Sequence, residues 1–130
     1  IEWLKTNPVP LNSKTNYLTN SREIAILGVK QNKPTFNSSY DNGLYEEEGE
    51  LYRFPICHDK NRFHPTQKPL DLIETLIEKH SNKGDTVLDC FSGSGTTALA
   101  CLNTSRSFVG CEIDPSFFSK STDRLLSFLP

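Results

Sequence analysis

The chain has 130 residues, 35% hydrophobic and 23% charged, with 14 Lys and Arg against 16 Asp and Glu. That length fits one domain, or two only if both are very small. A formal charge of −2 excludes a uniformly basic, histone-like nucleic-acid binder but not a local basic face. No apolar run approaches the roughly 18 residues of a membrane span. The opening Ile1-Glu2-Trp3-Leu4-Lys5 lacks the charged start and apolar stretch of a signal peptide.

Ile1 to Leu4 reads as the end of a strand. Asn7-Pro8-Val9-Pro10 is an extended or turn segment, because a residue before proline is pushed out of the α region. Ser21 to Lys30 contains the apolar run Ile24, Ala25, Ile26, Leu27 and Val29 and predicts a buried strand. Residues 31–63 hold Asn, Ser and Gly turn signals and a short strand at Leu51 to Phe54. They also hold an acidic run (Glu46, Glu47, Glu48, Glu50) that reads as a solvated loop.

Beyond residue 64 the pattern becomes regular. Leu70, Ile73, Ile77 and His80, with Leu72 and Leu76 alongside, predict an amphipathic helix over Pro69 to Ser81. Lys83-Gly84-Asp85 is a turn, Thr86 to Phe91 a short apolar strand, Thr96 to Asn103 a helix and Ser107 to Ile113 a second buried strand. Asp114 is a good N-cap, and Pro115 suits the first position of a last helix. That helix should end near Phe128, with Phe117, Phe118, Ser121, Leu125 and Phe128 on one face. Helices and strands alternating in this way predict parallel strands joined by crossover helices, an α/β fold.

The four cysteines, Cys57, Cys90, Cys101 and Cys111, show no paired spacing. Cys90 and Cys111 fall in apolar strands and read as buried thiols rather than disulfides. Cys57-His58 with His64 supplies metal-type atoms, but without a Cys-x-x-Cys or a second cluster no metal site is expected.

The strongest local signal is Asp89-Cys90-Phe91-Ser92-Gly93-Ser94-Gly95-Thr96-Thr97, a strand running into a glycine-rich turn and then a helix. Such a turn lets a ligand approach bare backbone, and the amides at the helix start favour an anionic or polar group. Glu112 follows 23 residues after Asp89, at the end of the next strand, where a carboxylate can accept hydrogen bonds from ribose hydroxyls. Alone, the pattern stays open between a tight strand–helix turn with a capping carboxylate and a nucleoside-cofactor site. A dinucleotide fold is a rival, although Gly93 and Gly95 are followed by Ala98 where the fingerprint places its third glycine. A phosphate-binding P-loop is disfavoured, because Thr96-Thr97 stands where lysine is needed.

Just before the first helix lies His64-Pro65-Thr66-Gln67-Lys68-Pro69. Together with Phe91-Ser92-Gly93-Ser94-Gly95-Thr96-Thr97 and Cys111-Glu112-Ile113-Asp114, it resembles the β-class amino-methyltransferases of DNA, in the order of their motifs X, I and II. The front half resembles the same family's region between its catalytic loop and target recognition. The resemblance implies a partial Rossmann-like methyltransferase fold, a mostly parallel sheet with flanking helices. It implies transfer of methyl from S-adenosylmethionine to the exocyclic amine of adenine, preferred, or of cytosine in DNA. A cytoplasmic setting of bacterial, archaeal or phage type follows. It also implies three segments: a strand-loop-strand part of the catalytic region over 1–32, a short target-recognition loop over 33–63 and a cofactor-binding subdomain over 64–130.

Carried over by position, the backbone around Phe91, Gly93 and Gly95 would line the methionine part of the cofactor. Thr96 and Lys68 would hold its carboxylate, with Thr66 nearby, and Asp89 would receive its amino group. Glu112 would bind the ribose hydroxyls, and Ile113 or Phe91 would pack on adenine. His64 reads as structural rather than catalytic.

The family's Asp-Pro-Pro-Tyr type of catalytic motif is not found, since Asn7-Pro8-Val9-Pro10 has the wrong spacing. With no methionine anywhere, the chain is expected to be the C-terminal part of such an enzyme, one that does not methylate DNA alone. A partner carrying the missing half, or a second copy, would associate through an exposed sheet edge. The alternative is a non-catalytic S-adenosylmethionine-binding remnant or half of a split enzyme. A nicotinamide-dependent oxidoreductase is the third reading, and nothing in dinucleotide binding calls for the segment His64 to Pro69. DNA contact is expected from a front segment, residues 1–35, of net charge +3. Its candidates are Lys5, Lys14 and Lys33, then Lys60 and Arg62 beside His64, with Trp3, Tyr17 and Tyr40 to stack or pack.

Overall fold

The computed structural model describes residues 1–8, 10–12, 16–19, 21–30, 33–37, 51–57, 60 and 62–129. Lys14, Tyr40, His58, the side chain of Tyr17 and the acidic run Glu46, Glu47, Glu48 and Glu50 lie outside the described residues. Contacts divide the chain into two units, one of Ile1–Pro34 and Ser38–Ile56, the other of Thr35–Asn37 and Cys57–Pro130.

In the first unit β1 (Glu2–Lys5), β4 (Arg22–Ile24) and β5 (Leu51–Phe54) form a three-stranded sheet with β1 in the middle. β1 runs parallel to β5 and antiparallel to β4. A parallel neighbour needs a long connection, which the intervening chain supplies. The sheet is closed by side chains as well as by its ladder. Trp3 is buried and its indole N–H donates to the Phe54 carbonyl at 2.9 Å, while the Ile56 amide donates to Asn7 Oδ1 at 2.7 Å. Between them β2 (Pro10–Asn12) and β3 (Asn16–Thr19) pair antiparallel.

The expected buried strand over Ser21 to Lys30 is corrected here. The strand ends at Ile24, and the apolar residues after it stand in solvent, Ile26 at 96% exposure. Among the described residues β4 is an edge strand, paired with β1 alone. An apolar run expresses a preference for burial without saying what will cover it.

In the second unit α1 (Leu70–His80) packs on α2 (Thr96–Asn103), and β6 (Thr86–Asp89) pairs parallel with β7 (Ser107–Gly110) in the register Thr86↔Ser107 to Asp89↔Gly110. Ile77, Ala100 and Cys101 form the core, with Leu70, Ile73, Val87 and Phe108 packed against it. Burial pushes the Cys101 thiol pKa up. Strand alternation turns the neighbouring Leu88 and Val109 outward, so these strands are covered on one face only.

Cys90 and Cys111 are exposed, against expectation, because each falls just past the last ladder pair, where the chain turns away. All four cysteines are free. The C-terminal carbonyls of α1, which a helix leaves without internal partners, are met from outside it. The Asn37 amide donates to the Lys79 carbonyl at 2.7 Å, its side chain reaches Glu78 and Ser81, and Arg106 donates to the Ser81 carbonyl at 2.7 Å.

The last helix, α3 (Pro115–Leu126), begins as its sequence predicts. Asp114 Oδ1 accepts from the Ser116 and Phe117 amides at 2.8 and 3.0 Å, with proline in the first turn. Its inner face is narrower than expected: Ser121 is buried and Phe117 half-buried, whereas Phe118 and Phe128 are exposed. Among the described residues no helix is long and apolar enough to cross a membrane.

Candidate functional site

β6 and β7 end side by side at Asp89 and Gly110, and the chain leaves both strands into loops. The carboxyl ends of parallel strands are where open α/β sheets place their ligands. After β6 the backbone turns through Gly93 (φ +50°) and Gly95 (φ +72°) into α2. The turn is braced from β7, since the Ser92 amide donates to the Cys111 carbonyl at 2.9 Å.

Glu112 ties the two loops together. Its Oε2 accepts from the Gly93 amide at 2.7 Å and its Oε1 from the Asp114 amide at 2.9 Å. These backbone N–H groups, Asp114 first and then Gly93, hold its carboxyl pKa below the usual range. The Ile113 backbone N–H also faces the carboxylate, whose oxygens keep further lone pairs that can accept from a ligand. On either side stand two large apolar side chains in solvent, Phe91 at 90% and Ile113 at 99% exposure.

Asp89 is partly occupied by the turn itself. Its Oδ1 accepts from the Phe91 amide at 3.0 Å and its Oδ2 from Thr97 Oγ1 at 2.7 Å. His64 packs on the Phe117 ring with centroids 4.3 Å apart, and its ring faces the Cα of Gly93. The Thr66 amide donates toward His64 Nδ1 at 3.3 Å. His64 is thus a strut between the segment before α1, the glycine turn and α3.

A cavity of about 140 Å³ opens beside the turn, lined by Thr66, Lys68, Asp89, Phe91, Gly93 and Thr96 among others. Six of the nine residues expected to bind the cofactor therefore meet around one cavity. Gly95 does not line it; the residue is buried, and a Cβ there would stand 3.1 Å from Ser121 Cβ. Glu112 and Ile113 lie along the loops outside it. A wider cavity of about 730 Å³ is lined by Phe63, Leu70, Leu99, Phe128, Lys120 and Arg124, and of the expected residues only Lys68 reaches it. The smaller one is the candidate site, because the chemistry converges there.

Arg124, on α3, gave no sequence signal of a role, while Thr97, read as part of the glycine-turn motif, is the partner of Asp89 and Phe117, read as part of a helix face, is the platform under His64. Of the expected DNA contacts, Lys33 and Lys60 are exposed. Lys5 is engaged inside the first unit, its side chain 9% exposed and its Nζ 3.0 Å from Glu23. The Arg62 guanidinium donates to the His64 and Pro65 carbonyls.

A parallel strand pair ending in a glycine turn, opposite a carboxylate held by backbone amides, is the arrangement of a nucleoside-cofactor-binding α/β protein. Comparison with known proteins narrows this class, since the DNA methylase family model matches residues 1–123. The chain belongs to that family. It is 35% identical to the type II methyltransferase M2.MboI of Moraxella bovis over its whole length, which is 50% of that protein. It is 48% identical to the type II methyltransferase M.BglI of Bacillus subtilis over 53% of the chain and 20% of that protein. The crystal structure of the M1.HpyAVI–SAM complex superposes with a TM-score of 0.75 at 36% identity, over 96% of this chain and 59% of that one. The chain thus spans about half the length of its full-length relatives.

Proposed function

We propose that this chain is the cofactor-binding part of a DNA amino-methyltransferase that uses S-adenosylmethionine. The observation that carries the reading is Glu112. Its carboxylate is fixed by the Gly93 and Asp114 amides, keeps acceptor lone pairs for ribose hydroxyls, and stands between exposed Phe91 and Ile113, beside a small polar cavity. The residues fit the cofactor at both ends. The cavity suits an amino-acid end: Lys68 and Thr96 would hold its carboxylate with Thr66 nearby, Asp89 would receive its ammonium, and the Phe91, Gly93 and Gly95 backbone would shape the wall. The nucleoside would lie outside along Glu112, with Phe91 or Ile113 against adenine. When bound, S-adenosylmethionine supplies an electrophilic methyl group; this chain's residues orient its two ends.

The acceptor in this reading is the exocyclic amine of a base in DNA, adenine first and cytosine second, which would place the protein in the cytoplasm. Residues 64–130 would form the cofactor subdomain, 33–63 the target-recognition loop and 1–32 the strand-loop-strand part of the catalytic region. The exposed apolar strip from Ile24 to Val29 would be covered by the rest of the sheet of a full-length relative, on this polypeptide or a partner. Calorimetry is expected to show binding of S-adenosylmethionine and S-adenosylhomocysteine and none of NAD. DNA is expected to stay unmethylated until a segment bearing the Asp-Pro-Pro-Tyr type of motif is supplied. NAD binding in place of S-adenosylmethionine sinks the assignment.

For DNA, Arg62 is exposed but its guanidinium is turned to the His64 and Pro65 carbonyls, and Lys5 is paired with Glu23, which leaves Lys33 and Lys60, both exposed, as the first candidates. Replacing both by alanine is expected to flatten the plot of log affinity against log salt by about 1.8, roughly 0.9 for each phosphate that is no longer neutralised. An unchanged slope removes both from the interface.

A further inference from the structure

Arg124, on α3, belongs to none of the motifs above, yet it reaches the glycine turn. Its Nη1 donates to the Ser94 carbonyl at 3.0 Å and to Thr96 Oγ1 at 3.2 Å. Thr96 Oγ1 also lies 3.0 Å from Ser94 Oγ, and both residues are buried and line the 140 Å³ cavity. Protons and acceptors do not balance within the hydroxyl pair. A guanidinium only donates, and each hydroxyl carries one proton. The Ser94–Thr96 contact uses one of the two hydroxyl protons, and Arg124 can accept neither. The second proton is left for the remaining lone pair of the Ser94 carbonyl or for an acceptor in the cavity, whichever hydroxyl keeps it.

We propose that Arg124 is a positioning residue for the carboxylate end of the ligand. By holding the Ser94 carbonyl it fixes the turn. By occupying an acceptor site of the hydroxyl pair with a donor, it keeps the pair's spare O–H free to be given to an acceptor in the cavity. The matching ligand group is acceptor-only, a carboxylate, and the guanidinium's charge strengthens the bond. The inference rests on the S-adenosylmethionine reading for the ligand's identity.

The test compares two ligands on the full chain by calorimetry: S-adenosylhomocysteine, which has the amino-acid end, and 5′-methylthioadenosine, which lacks it. Arg124→Met is expected to weaken the first by roughly ten-fold or more and the second by less than about two-fold. Arg124→Lys keeps a donor that cannot accept and should retain most of the affinity. Arg124→Gln introduces an acceptor for the spare proton and should lose as much as Arg124→Met. Thr96→Val, which leaves Arg124 in place, should show the same selective loss, so the inference remains testable if Arg124→Met fails to fold. Equal loss of both ligands, indistinguishable Lys and Gln variants, or a Thr96→Val protein that binds like the unaltered chain each overturn the role of Arg124. If the unaltered chain binds neither ligand, the cofactor reading itself falls, and this role with it.

Discussion

Glu112→Leu is expected to weaken binding of S-adenosylhomocysteine and 5′-methylthioadenosine alike, by about a hundred-fold, because both ligands carry the ribose and each hydroxyl loses a charged acceptor. The loss has a second source. The Gly93 and Asp114 amides give up the oxygens at 2.7 and 2.9 Å that hold the two loops in register. Glu112→Gln should fall between, near ten-fold, since its amide keeps one acceptor oxygen but turns an NH₂ toward a backbone N–H. This pattern differs from that of Arg124, whose loss should depend on the amino-acid end. The pH dependence follows from the depressed pKa of Glu112 in the folded chain. A carboxyl whose folded pKa lies below its unfolded value contributes its full stabilisation above the unfolded pKa, about 4.3, and loses it as pH falls through the lower folded value. Ribose binding should therefore be flat from neutral pH down to about 4.3. Calorimetry across that range checks it. Unchanged affinity in Glu112→Leu, or a decline attributable to this carboxyl beginning near neutral pH, would refute the role.

The elements that carry the site were readable because their signals are local. Asp114 and Pro115 announce a helix start through chemistry that acts over three residues, and the cap hydrogen bonds form there. The helix Thr96–Asn103 and the strand Leu51–Phe54 lie where their patterns predict. The glycine turn and Glu112 were readable for the same reason, as a strand followed by a forced turn. What failed depends on distant parts of the chain. Leu88 and Val109 look like core and face solvent, because periodicity gives the two faces of a strand but not which face is covered. Asn37 closes the end of α1 from 41 residues away, beyond the reach of any local signal. Arg124 is an ordinary helical arginine in sequence, and only the packing of α3 against the turn puts its guanidinium on Ser94 and Thr96. Lys5 shows the converse, since net charge counts a lysine that the fold has already paired with Glu23.

The two glycines of the turn should respond differently to alanine, and the contrast separates folding from binding. Both have positive φ, so a side chain at either position costs about 1–3 kcal/mol of backbone strain. Their neighbours differ. A Cβ on Gly95 meets Ser121 Cβ at 3.1 Å, with the Ser121 backbone at 3.7 Å, so relief requires a shift of helix α3. A Cβ on Gly93 meets His64 Nε2 at 3.2 Å, the end of a side chain that can turn. Gly95→Ala should therefore be the more destabilising, toward or above the upper end of that range, as read from denaturant unfolding. Gly93→Ala should stay nearer the lower end but cost more in binding. A displaced His64 ring leaves Phe117 and disturbs the Thr66 contact, and the Gly93 amide is drawn off Glu112. The expected result is a loss of roughly ten-fold or more in S-adenosylhomocysteine affinity, from one charge-assisted hydrogen bond and the cavity wall together. If Gly93→Ala binds like the unaltered chain, the turn is a connection between strand and helix and not a ligand cradle. If it unfolds as readily as Gly95→Ala, His64 is as rigid as the helix backbone, and its role as an adjustable strut is wrong.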